Sequence, residues 1–181
     1  ALEGEALSFP MPQNPRLVGA HNRANLLTAL AGVLAIFPEA ARKPEALAEA
    51  ARVFGGLPHR LEFIAEKQGV RFYNDSKATT PEASITALEA FPSGKIHVIA
   101  GGYDKKVDLS GYAAVLRARA KAVYLIGATG GRIGELVGSG GPEVVMAGPL
   151  EAAVREASAR AKAGEVVLLS TASASLDQFK N

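Results

Sequence analysis

An aspartate, a lysine and several hydroxyls crowd one short turn of this 181-residue chain, Asn74-Asp75-Ser76-Lys77-Ala78-Thr79-Thr80. The stretch Phe72 to Glu82 begins as a β-strand and ends as the opening of a helix. Turns of that kind lie at the carboxyl edge of open α/β sheets, where ligands bind. Thr79 or Thr80 can cap the helix, Pro81 suits its first turn, and Glu82 stands three residues past Thr79 as in a capping box. Capping accounts for the threonines and for Asp75, and leaves a plain reading of a well-capped helix. It does not account for Lys77, because a cation beside a helix N-terminus opposes the dipole. An anion received by Lys77 explains it better.

Other polar clusters fall where such a sheet would place them. His21-Asn22-Arg23-Ala24-Asn25 opens a helix, where an asparagine pair is ordinarily a cap. Pro58-His59-Arg60 follows a glycine pair; the arginine is either a solvated charge or, by its bidentate fork, a phosphate clamp. Gly101-Gly102-Tyr103-Asp104-Lys105-Lys106 follows an apolar run. Its glycines let backbone approach a ligand and Lys105 can hold a carboxylate or phosphate, although a tight turn with solvated charges fits as well. The hydroxyls of Ser170 through Ser175 can receive an anion or merely cap a helix.

The elements that must position these residues are regular after Gly55-Gly56-Leu57-Pro58, the strongest boundary signal in the chain. Strands are expected at 61–65 and 70–74, joined by the hairpin-sized loop 66–69. Helix 81–90, strand 96–100, helix 111–120, strand 123–126, a short helix, strand 144–147, a helix through Leu150, Ala153, Val154, Ala157 and Ala161, and strand 166–170 then alternate. That order predicts an α/β, Rossmann-like fold with a mostly parallel sheet flanked by helices on both faces. Before the boundary, residues 1 to 20 read as loop with an edge strand. Leu26, Leu30, Val33, Leu34 and Phe37 share one face of a helix that Pro38 stops, and Leu47, Ala50, Ala51 and Phe54 line another after Pro44. Two helices without a sheet make a poor domain, so residues 1–55 are expected to be the tail of something larger. A helix is also expected to start near Ser173 or Ser175 and to be cut short at Asn181; both ends read as those of a fragment.

Several classes are set aside. The 20 basic and 18 acidic residues are spread along the chain and aromatics make up 6%, which offers no nucleic-acid footprint. Apolar runs are too short for a bilayer and no leader pattern opens the sequence, so a cytoplasmic protein without membrane contact is expected. The absence of cysteine removes disulfide and thiolate chemistry. No P-loop pattern is present, and Gly127-Ala128-Thr129-Gly130-Gly131-Arg132-Ile133-Gly134 fails the dinucleotide spacing, so it is read as a structural βα turn. His21, His59 and His97 lack zinc spacing; His97, in mid-strand, is expected simply to be packed.

Taken together, the clusters resemble the Mur ligases, and within that family the branch that uses D-glutamate. The matching residues are Gly19-Ala20-His21-Asn22-Arg23-Ala24-Asn25, Leu57-Pro58-His59-Arg60, Asn74-Asp75-Ser76-Lys77-Ala78-Thr79, Gly101-Gly102 with Asp104-Lys105, and Leu168-Leu169-Ser170 with Ser173-Ala174-Ser175-Leu176-Asp177-Gln178-Phe179. They occur in the family's order over nearly all the chain past residue 17. Thr171 stands where the family often has proline.

The resemblance implies a six-stranded C-terminal domain at 56–181, binding the amino acid, preceded by a two-helix remnant of the central ATP-binding domain at 1–55. It implies an ATP-dependent ligase of peptidoglycan synthesis, in which ATP phosphorylates the carboxylate of UDP-N-acetylmuramoyl-L-alanine and the amine of D-glutamate attacks the acyl phosphate. The P-loop, the Mg²⁺ ligands and the uridine site would lie upstream, in further domains of the same enzyme, leaving no catalytic residue here and the piece alone inactive. By the same resemblance Lys77, Thr79, Lys105, Ser175 and the backbone at Leu176 hold D-glutamate. Asp75 meets the ATP ribose, Arg60 its phosphates, and Asn22 and Asn25 the nucleotide from the central-domain side. With Arg60 on a flexible linker, domain closure is expected to assemble the site. The alternatives are a free-standing Rossmann-like nucleotide-binding module and a purely structural domain.

Overall fold

The apolar runs expected as strands after residue 60 become strands, and helices form between them, in the computed structural model, which describes residue 14 and residues 16–174. The chain divides into two compact units, Ala1–Gly56 and Leu57–Asn181. The expected loop and edge strand before residue 14, and the expected helix after Ser175, lie outside the described residues.

In the first unit, α1 (Ala20–Ile36) is followed by a 3₁₀ turn (Pro38–Arg42) and α2 (Pro44–Val53). The Asn14 amide lies 3.0 to 3.2 Å from the carbonyl oxygens of Ala51, Arg52 and Phe54, closing the end of α2. The expected apolar stripes are only partly covered. Leu30 and Ala51 are buried, whereas Val33, Phe37 and Phe54 are 38%, 54% and 45% exposed.

In the second unit the strands are β1 (Glu62–Lys67), β2 (Val70–Asn74), β3 (Ile96–Ala100), β4 (Ala120–Ile126), β5 (Glu143–Gly148) and β6 (Val166–Leu169). They form one mixed sheet in the order β1-β2-β6-β3-β4-β5. β1 is antiparallel to β2 and every other pairing is parallel. This is the α/β fold expected, with the last strand inserted between β2 and β3 so that three strand exits, β2, β6 and β3, stand side by side. The helices are α3 (Pro81–Glu89), α4 (Ser110–Arg119), α5 (Gly130–Val137) and α6 (Leu150–Arg160).

Successive strand residues point to opposite faces, and the core divides accordingly. Ile99, Ala122, Tyr124, Ile126 and Val167 pack on Ala153 and Ala157 of α6. Their alternates, among them Val98, Val123, Leu125 and Leu168, are also fully buried and face the α3–α4–α5 side, where Gly134 of α5 lets that helix approach the Leu125 side chain. A sheet covered on both faces explains why β3 is buried at every position.

Two boundaries differ from expectation, and the choice of cap for α3 is settled. The β1–β2 connection is a two-residue turn, because Gln68 and Gly69 both take positive φ (53° and 75°), the geometry that matches strand twist. β4 starts at Ala120, where the chain turns extended straight after α4, and the alternation of small buried Ala120 and Ala122 continues the strand. α3 is capped by Thr80, whose Oγ1 accepts from the Ala83 N–H at 3.4 Å; the Thr79–Glu82 capping box does not form. Among the described residues no helix is long and apolar enough to cross a membrane.

Candidate functional site

The turn leaving β2 is built from its own sequence. Asn74 Oδ1 accepts from the Ser76 N–H at 3.0 Å, the local bond that suits asparagine to turns. The Ala78 N–H then closes on the Asp75 carbonyl at 2.9 Å. Lys77 is exposed and Thr79 partly so.

Asp75 is 7% exposed. Its Oδ1 accepts from the Leu61 N–H at 3.0 Å and its Oδ2 lies 2.9 Å from Ser170 Oγ. Burial pushes this carboxyl up from its ordinary value, opposed by the Leu61 N–H, the Ser170 hydroxyl and the charge of Arg60. Asp75 therefore ties the start of β1 to the exit of β6. Each oxygen accepts one bond in doing so and keeps a second lone pair.

The segment carrying Arg60 is not loose. Leu57 and Arg60 form an isolated bridge, the Lys77 N–H donates to the His59 carbonyl at 3.1 Å, and the Asn74 amide lies 2.9 Å from His59 Nδ1. His59 and Leu61 hold φ of 62° and 43°, a region that non-glycine residues enter only when their surroundings hold them there. Arg60 itself is exposed.

The turn leaving β3 brings a second cation to the first turn. The Lys105 ammonium donates to the Thr79 carbonyl at 3.3 Å, so two residues expected to share a ligand meet at one edge, with Lys77 in the same turn as Thr79. Gly101 and Gly102 are packed closely on neighbouring backbone. A Cβ on Gly101 would lie 2.1 Å from the Ile126 carbonyl oxygen, and one on Gly102 2.4 Å from that of Ala174. Their freedom lets backbone approach backbone, knitting the exits of β3, β4 and β6 together.

Sequence reasoning missed the buried hydroxyls beneath this edge. Ser84 of α3 is fully buried; its Oγ accepts from the Ala172 N–H and lies within 2.9 Å of Ser170 Oγ. Tyr112 of α4 donates its hydroxyl to the Ser170 carbonyl at 2.9 Å. The signal for Ser84 was available, since it occupies the same helical face as Pro81, Ala87 and Leu88, all buried.

His97 is packed, as expected, but in company the sequence did not announce. Its ring lies 2.9 Å from both Tyr124 Oη and Glu165 Oε2, and Glu165 also pairs with Lys121. His97, Lys121 and Glu165 lie toward the amino ends of β3, β4 and β6, the opposite edge from Lys105.

Ser175 and Leu176 lie outside the described residues. Asn22 and Asn25 belong to the first unit. The asparagine pair does not cap α1, whose N-cap is Gly19; Asn22 donates instead to the Val18 carbonyl at 2.8 Å.

The family model described as Mur ligase, glutamate ligase domain, matches residues 59–173. The chain belongs to the Mur ligase family. It is 45% identical over 178 residues to a UDP-N-acetylmuramoylalanine–D-glutamate ligase of Acidobacterium capsulatum, covering 96% of this chain and 36% of that protein. The chain thus spans about a third of the length of the curated relatives it matches. Its fold is similar to that of UDP-N-acetylmuramate-alanine ligase from Thermotoga maritima, with a TM-score of 0.60 at 22% identity over 87% of this chain and 35% of that one. It is similar too to the bifunctional folylpolyglutamate synthase/dihydrofolate synthase solved with Mn, AMPPNP and L-glutamate bound, with a TM-score of 0.58 at 22% identity over 95% of this chain and 40% of that one. At the edge where β2, β6 and β3 end, the second unit carries the exposed cations Lys77 and Lys105 beside the tightly packed Gly101 and Gly102.

Proposed function

We propose that residues 57–181 are the amino-acid-binding domain of an ATP-dependent ligase that joins D-glutamate to UDP-N-acetylmuramoyl-L-alanine in peptidoglycan synthesis. Residues 1–56 are the end of the ATP-binding domain of the same protein, a reading supported by the exposed apolar side chains of α1 and α2. The observation that carries the proposal is the approach of Lys105 to Thr79. The attacking amine must be aimed at an acyl phosphate, and gripping both carboxylates of D-glutamate does that by removing rotational freedom. Two cations and a threonine hydroxyl on short, cross-tied turns suit such a grip, because charge-assisted bonds to carboxylates are strong and directional. Lys77, Thr79 and Lys105 supply it, with Ser175 and the backbone at Leu176.

ATP and Mg²⁺ belong to this reading through the upstream domains, which would carry the P-loop and the metal ligands. On this chain Arg60 would meet the nucleotide phosphates, Asp75 the ribose, and Asn22 and Asn25 the nucleotide from the first unit. Asp75, already bound to Leu61 and Ser170, would present its remaining lone pairs from a fixed position. The likeness to relatives that are D-glutamate ligases by name supports the choice of amino acid.

The test is phosphate release by the complete protein with ATP, UDP-N-acetylmuramoyl-L-alanine and either enantiomer of glutamate. Release that requires both the nucleotide-linked substrate and D-glutamate is expected. Release indifferent to D-glutamate would overturn the proposal, and tight binding of ATP by the present chain alone would favour a self-contained nucleotide-binding module.

A further inference from the structure

The glycine-rich turn after β4 holds no dinucleotide spacing, yet its threonine breaks a local rule. Thr129 is the N-cap of α5 and is 2% exposed, but its side chain makes no capping bond to its own helix. A threonine cap ordinarily stabilises its own helix by accepting from that helix's first N–H groups. Here the hydroxyl is diverted to residues remote in the chain. Thr129 Oγ1 accepts from the Gly102 N–H at 2.9 Å, while the Thr129 N–H donates to the Gly102 carbonyl at 2.9 Å. The same Oγ1 lies 3.2 Å from Ser173 Oγ. Gly102 can present both backbone groups only because it lacks a Cβ, which would strike the Ala174 carbonyl oxygen. The neighbouring Tyr103 N–H donates to that carbonyl at 2.8 Å.

We propose that Thr129 is a positioning residue for the amino-acid grip, fastening the Gly101–Gly102 turn that leads to Lys105 against Ser173 at the exit of β6. This rests on the D-glutamate reading. One hydroxyl joins the turn that leads to Lys105 to the exit of β6. Local strain or a surrendered cap retained in a buried position points to a demand made elsewhere in the fold. Removing the hydroxyl while keeping its volume leaves the Gly102 N–H buried without a partner, and the turn must shift to regain one. The ammonium of Lys105, now 3.3 Å from the Thr79 carbonyl, shifts with it.

The experiment uses the complete ligase with Thr129→Val and Thr129→Ser, reading KM for D-glutamate, KM for ATP and kcat, with thermal midpoints as a control. The valine variant is expected to raise KM for D-glutamate about five- to thirtyfold, the loss of one or two neutral hydrogen bonds, with KM for ATP changed less than about twofold on the same scale. The serine variant, which restores the hydroxyl, is expected to return KM for D-glutamate to near the wild-type value. An unchanged KM for D-glutamate in a folded valine variant overturns the proposal, as does an equal rise in both KM values. If the valine variant does not fold, Ser173→Ala decides: it removes the other hydroxyl, and an unaltered KM for D-glutamate overturns the proposal. Lys105→Ala separates this from the reading beneath it. If that variant loses affinity for D-glutamate and Thr129→Val does not, only the positioning role fails. If neither does, the D-glutamate site itself is wrong.

Discussion

The ammonium of Lys105 lies 3.3 Å from the carbonyl oxygen of Thr79, although the two residues come from the exits of different strands. That bond uses one of three ammonium donors and leaves two for a ligand. It also holds the charge beside the turn that carries Lys77, as the proposed grip on D-glutamate needs.

Lys77→Ala and Lys105→Ala in the complete ligase are each expected to raise KM for D-glutamate about ten- to a hundredfold, the range for losing a charge-assisted bond. Both side chains are exposed, so thermal unfolding midpoints should stay close to wild type. Steady-state kinetics with D-glutamate as the varied substrate, alongside calorimetry, make the check. Wild-type kinetics in both variants would remove the basis for the site.

Ser84→Ala tests the buried hydroxyls under the edge. The substitution strips the partner from the Ala172 N–H, and an orphaned buried donor costs about 1–3 kcal/mol. Urea unfolding should show a lower midpoint with an unchanged slope. Stability equal to wild type would mean that this hydroxyl is dispensable to the fold.

At the opposite edge, Glu165 predicts a pH dependence. Burial pushes its carboxyl up, but the Lys121 ammonium, the Lys162 backbone N–H and the His97 ring outweigh burial and hold it at about 2, below the ordinary 4.5. A carboxyl depressed in the folded state adds stability that is fully present above the unfolded value and is lost as pH falls toward the folded one. Glu165→Gln should therefore be less stable than wild type at pH 7, and the gap should close between about pH 4.5 and pH 2. Urea midpoints measured across that window decide it; a gap of constant size would show that ionisation of Glu165 adds nothing.

Much of this was legible in the chain. Short apolar runs alternating with helical stretches past residue 60 specified a mostly parallel α/β sheet, because a strand buried on both faces reads as an apolar run whatever its neighbours are, as Ile96–Ala100 does. Lys77 stood out at the sequence level because a cation beside a helix start needs an anion to explain it. The choice between Thr79 and Thr80 as cap was not legible, since both satisfy the same local rule and only the geometry of the turn separates them.

What the residues determined by themselves was local: strand and helix periods, the glycine pair before the second unit, and which side chains were chemically able to bind an anion. Tertiary structure decided what no window of sequence contains. It inserted β6 between β2 and β3, turned Gly101 and Gly102 toward neighbouring backbone, buried Ser84 and Thr129 as cross-links, and brought Lys105 to Thr79. Those outcomes depend on contacts between segments remote along the chain, and such contacts form only once the hydrophobic faces of all six strands have chosen their partners.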